Sequence, residues 1–154
     1  MGEAPRSKRM DLLEVLTVGL PFCGFKVLAG LSFAGPAGAF LVALGVLDGL
    51  INGANLAGLL AKDRRPLAAC SLAFAARALR APSGPPRKWH DLGSSLDVLL
   101  SFALVALMIG GGRLGSMPPV RLSAWNACVI LNVLGAGLGR IGDSLRDLAR
   151  GERA

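Results

Sequence analysis

The sequence predicts an all-α, polytopic membrane protein. Its expected form is a four-transmembrane-helix bundle with a cytoplasmic interfacial amphipathic helix between helices 2 and 3. Three observations carry that expectation. Just over half of the residues are apolar (53%) and the mean hydropathy is +0.54. The apolar residues gather in four long runs, and most Lys and Arg residues fall between those runs. A soluble domain of this length would have to hide its apolar surface in a small core, where the ratio of volume to surface is unfavourable. Hydrocarbon accommodates it directly. The 154 residues leave room for one domain.

The first run covers residues 12–33 and is broken by Pro21 and Lys26. It follows a polar, basic start that resembles a signal peptide. Asp11 and Glu14 interrupt the apolar segment such a peptide needs, and no convincing small-residue cleavage site follows, so a retained first helix is expected. The second run, residues 37–61, contains one charge, Asp48. The third, residues 96–112, has Asp97 near its start, and the fourth, residues 122–139, is uncharged. A spanning helix needs about 20 mainly apolar residues, which the second run meets comfortably and the third and fourth nearly meet.

Residues 66–81 are helix-prone. On a helical wheel Leu67, Leu72, Phe74, Ala78 and Leu79 share one side, opposite Arg77 and Arg80, so this helix is expected to lie in the headgroup plane. If it crossed the bilayer instead, the basic residues would divide equally between the two sides. Residues 82–90 are rich in Pro, Gly and Ser and read as an extended loop. Ser94 followed by Asp97 resembles a capping box opening the third helix, with Asp in place of Glu or Gln. Trp89 and Trp125 are expected at water boundaries, where indole rings are favoured. Gly35-Pro36 and Pro118-Pro119 mark the outer turns.

Charge sets the expected orientation. Fourteen of the 17 Lys and Arg residues lie in the amino-terminal tail, the central loop and the carboxyl end. Lys26, Arg113 and Arg121 remain for the far side. The positive-inside rule then places both termini and the central loop in the cytoplasm, with a bacterial inner membrane as the expected location. The net charge of +7 could suit a nucleic-acid binder. Its placement beside apolar runs suits anionic lipid headgroups better, so lipid and not nucleic acid is the expected partner. Arg140, Asp143, Arg146, Asp147 and Arg150 alternate in sign at helical spacing and read as a cytoplasmic extension of the fourth helix.

Asp48 is the most informative single residue, because an unpaired charge in mid-membrane costs about 2.5–3.5 kcal/mol. Asn52 and Asn55 follow it at i+4 and i+7, on the same helix face. Counted from the outer ends, Ser101 and Asn132 reach a similar depth, and Lys26 lies slightly farther out. Two readings of Lys26 compete: a buried pair with Asp48, surrounded by this polar cluster, or a side chain that snorkels outward. Gly45, Gly49 and Gly53 form a small-residue ridge, repeated by Gly135 and Gly139, on which another helix can approach closely, within the chain or from another subunit. A short Pro-containing outer turn, mid-depth polar residue, glycine series and basic end recur in both halves, a faint internal similarity in which Asp48 and Asn132 correspond.

No catalytic, metal or cofactor site is expected. Gly137, Gly139 and Gly142 match GxGxxG formally but lack the preceding strand. His90 is the single histidine, and Cys23, Cys70 and Cys128 are widely spaced packing residues. The leading functional expectation is a non-catalytic accessory, assembly or scaffold subunit of a membrane complex, or a homo-oligomer. The alternative is a small oligomeric transporter or channel that uses Asp48. A lipid-active enzyme ranks last, since no nucleophile accompanies Lys26 and Asp48.

Overall fold

The computed structural model describes residues 8–62, 70–78 and 86–151. Among them every regular element is helical. Four helices are long and apolar enough to cross a membrane, over Met10–Gly30, Gly35–Ala61, Leu92–Gly110 and Pro119–Gly139. We call these the first to fourth spans.

The first span joins α1 (Lys8–Glu14) and α2 (Leu20–Gly30) through a π-helical turn, Val15–Gly19. Pro21 explains the widened turn. It has no N–H to give a carbonyl one turn back, and its ring crowds that turn. The ladder resets with a bond from the Leu20 N–H to the Val15 carbonyl, five residues back. The Thr17 hydroxyl also donates to the Leu13 carbonyl at 2.6 Å, drawing that side chain against the helix.

The second span belongs to α3 (Gly35–Lys62). Gly35 adopts φ +77°, which an L side chain rarely tolerates, and Pro36 then opens the helix. The third span belongs to α5 (Pro86–Gly110), and the chain leaves it through Gly112 in the left-handed region, φ +64°. The fourth belongs to α6 (Pro119–Gly151), one helix that carries the expected charged extension past the apolar stretch. A 3-10 turn, Arg113–Ser116, links α5 to α6. Between α3 and α5 stands the short α4 (Ser71–Ala78).

The second, third and fourth spans each pack on the first, and hardly on one another. The first span is accordingly 44% buried over its apolar window, whereas the fourth is only 12% buried. The span interrupted by Pro21 and Lys26 is therefore the hub. Small residues permit its contacts. A Cβ on Gly38 would lie 2.1 Å from the Phe33 carbonyl oxygen, and one on Gly135 would strike Thr17. Phe22, Phe25, Leu104, Met108 and Trp125 fill the apolar core, with the Phe25 and Trp125 rings 4.9 Å apart.

At the turns that follow the first and third spans, the Arg113 guanidinium donates to the Ser32 carbonyl at 2.9 Å and covers the Phe33 ring. Arg121 donates to the Leu31 carbonyl at 3.4 Å. Both cations meet the carboxyl end of α2, where unpaired carbonyls attract positive charge. Two of the three basic residues excepted from the charge asymmetry thus clamp the first span to the loop and helix that follow the third.

Several expectations need correction. α5 begins at Pro86, so residues 86–90 are helical and not extended loop; residues 82–85 lie outside the described residues. Ser94 is inside that helix and caps nothing, because the apolar run alone understated its length. Trp125 is 1% exposed. Expected at a water boundary, it instead turns into the bundle near the start of α6, where Phe25 receives the indole. In the segment expected to lie in the headgroup plane, residues 66–81, the described part is packed against the bundle. Residues 66–69 and 79–81 lie outside the described residues, but α4 starts among buried side chains. Cys70, Ser71 and Ala73 are each under 9% exposed, and Gly93 of α5 leaves no room for a Cβ against Ala73.

The glycine contacts separate into filled and open positions. Replacing Gly38 by Ala should lower stability by about 1–3 kcal/mol through overpacking. Gly53→Ala, which meets open space, should stay within about 0.5 kcal/mol. Unfolding in detergent followed by helical circular dichroism measures both; equal effects would contradict the helix crossing.

Candidate functional site: a buried ammonium shared by two carboxylates

Lys26 on the first span, Asp48 on the second and Asp97 on the third meet in the interior. The Lys26 ammonium donates to Asp48 Oδ2 and to Asp97 Oδ1. The three residues are 0%, 1% and 6% exposed. Their elements explain the meeting. Gly45, one turn before Asp48, holds no side chain; a Cβ there would come within 2.9 Å of Lys26 Cβ and of the Cys23 carbonyl oxygen. The first span can therefore lie close enough for the lysine stem to run along α3. A lone ion of either sign would be expelled from such a place, and the arrangement persists because each charge has a partner.

Asp48 is held from a second direction. The Ser71 N–H, at the start of α4, donates to Asp48 Oδ1 at 2.6 Å. Asp48 stands midway between the ends of the second span, so the amino end of α4 reaches half the height of that span. The first N–H groups of a helix have no partner within it, and an anion satisfies them well. Asp48 thus fastens four elements: its own helix, the first span and third span through Lys26, and α4.

Asn52 lies one turn from Asp48, on the side opposite Gly45. Its side-chain N–H donates to the Asp48 carbonyl at 3.0 Å and points toward Cys23 Sγ at 3.6 Å. Gly19, within the π-helical turn, makes the room: a Cβ there would sit 2.3 Å from the Asn52 oxygen. The Cys23 thiol donates to the Gly19 carbonyl at 3.0 Å. Outside the spans, burial pushes the Cys70 thiol up to about 11, which keeps it protonated at neutral pH.

A cavity of about 290 Å³ ends at this triad. Glu14, Val18, Cys23 and Lys26 on the first span form one wall, and Ser94, Asp97 and Val98 on the third form another. Asp48, Asn52 and Cys70 complete it. The cavity follows the first span from Glu14 to Lys26, about 18 Å of helical rise.

The cluster expected from sequence is only partly gathered. Lys26, Asp48 and Asn52 come together. Asn55 is 1% exposed on the same helix face, one turn farther from Lys26. Ser101 is fully buried one turn beyond Asp97, and its hydroxyl has no partner among the described residues. Asn132, half-buried on α6, neither lines the cavity nor bonds to the triad. The expected glycine ridge divides as well: Gly45 and Gly135 hold close contacts, whereas Gly49, Gly53 and Gly139 meet nothing within 4 Å.

Asp97 was missed as a member. Its reading as a helix cap supplied a local reason for its charge. The available signal was arithmetic: the second and third runs each carry an acid, and only Lys26 among the basic residues lies inside a run. In comparisons with known proteins, no family model matches the chain, and neither a curated protein nor a solved structure matches it.

Removing the shared cation should expose two buried carboxylates at once. Lys26→Met is expected to cost about 3–5 kcal/mol, while Arg121→Gln, at an exposed contact, should cost about 1 kcal/mol or less. Thermal unfolding in detergent distinguishes them. A Lys26→Met protein as stable as Arg121→Gln would remove the triad from its structural role.

Proposed function

We propose that the protein is a non-catalytic accessory, assembly or scaffold subunit of a membrane complex, or a homo-oligomer. The observation that carries this reading is the unequal use of the spans. The strongest polar interactions turn inward and hold the chain together, while the fourth span contacts mainly one neighbour and is 12% buried over its apolar window. Leu131, Val133, Leu134 and Leu138 are exposed along it. On the second span, Gly49 and Gly53 keep a close approach open to a further helix. Neither face is needed for the internal fold, so both can meet lipid or another subunit.

The proposed setting is a bacterial inner membrane, with both termini cytoplasmic and the basic face toward anionic lipid. The charge distribution supports this orientation. A specific observation also favours the alternative of transport through an oligomer: a cavity leads to the triad containing Asp48.

Cross-linking in native membranes, mild-detergent purification and mass spectrometry test the leading reading. The expected result is a defined assembly cross-linked through the second or fourth span. A strictly monomeric protein with no cross-linked neighbour would contradict it.

A further inference from the structure

Two carboxylates share one ammonium. With all three groups ionised, the triad holds one excess negative charge in a setting where net charge is costly. Neutrality requires one more positive charge. A metal cation needs several oxygen ligands around it. Lys26 Nζ already occupies the space between the carboxylates, and no cluster of three or more acidic, His or Cys groups with metal-binding geometry occurs among the described residues. A proton needs a single oxygen.

The two acids are unequal in geometry. Asp48 receives the Lys26 ammonium on one oxygen and the Ser71 N–H on the other. Both line the cavity, but Asp97 receives Lys26 on Oδ1 alone and is the more exposed of the two. Beside it the buried Ser94 hydroxyl, also in the cavity wall, has no hydrogen-bond partner among the described residues. The titratable and charged groups facing this space are Glu14, Cys23 and Lys26 from the first span, Asp48 from the second, Cys70 beside α4, and Asp97 itself.

We propose that Asp97 is a proton-exchange site, a carboxyl that binds and releases one proton through the cavity rising from Glu14. A hydronium ion in the cavity gives its proton to the Asp97 carboxylate and leaves as water; the reverse step returns it. With the proton bound, the triad is neutral and Lys26 is held chiefly by Asp48. With the proton released, Lys26 is shared and the third span is drawn to the first. The site thus reaches beyond a scaffold role and gives the bundle a proton-dependent grip.

Infrared difference spectroscopy of the full chain in lipid, across a pH titration, tests this. The expected spectrum has a protonated-carboxyl carbonyl band that titrates, shifts in Asp97→Glu and does not shift in Asp48→Glu. Asp48→Asn should abolish the same band, because Lys26 and Asp97 then balance. Asp97→Asn should abolish it too, and Asp97→Glu supplies the assignment should that variant not fold. Absence of a titrating carboxyl band from the wild-type protein would overturn the proposal. A band that shifts in Asp48→Glu but not in Asp97→Glu, or that survives Asp48→Asn, would do the same.

Discussion

The fold depends on one buried ammonium group held between two carboxylates. Lys26 has no exposed surface and two carboxylate partners on two other spans. Apolar contact between membrane helices is weakly specific, because lipid chains are as apolar as leucine side chains. A buried ion lacks that freedom. Only an arrangement that brings both aspartates to Lys26 satisfies it, and that requirement sets the rotation and height of three helices together. Pulling any one of them away leaves charge exposed to hydrocarbon.

The small residues serve that constraint. Gly45 admits the first span to α3, and Gly19 admits Asn52 beneath it. The π-helical turn forced near Pro21 lies about two to three turns before Lys26 and alters the angular position of everything after it. Just past the carboxyl end of the first span, Arg113 and Arg121 hold the Ser32 and Leu31 carbonyls. The hub helix is therefore secured at the triad and at its carboxyl terminus, by charge in both cases. The fourth span depends on close apolar packing, with Trp125 against Phe25 and Gly135 against Thr17.

Much of the fold was legible because hydrophobic run length and charge position are physical requirements of a bilayer. They located four helices and singled out Asp48 and Lys26. The polar face through Asn52 and Asn55 was likewise legible as a helical period. What remained hidden depended on contacts between distant segments. Nothing local to Ser94 or Asp97 distinguishes a cap from a triad member. The descent of α4 depends on an anion twenty-three residues earlier accepting the Ser71 N–H. A helical wheel reports which residues share a face but not the depth of the helix. Depth counting also placed Asn132 with Asp48, although the rotation of α6 is set by Trp125 and Gly135 instead.

A double-mutant cycle between Lys26→Met and Asp97→Asn, read as unfolding free energy in a fixed detergent, tests the shared ammonium most directly. If the cation joins the first span to the third, the two losses are strongly non-additive, with a coupling of about 0.5–3 kcal/mol. Additivity within about 0.3–0.5 kcal/mol would mean that the two side chains do not interact, and the account of what holds this bundle together would fail.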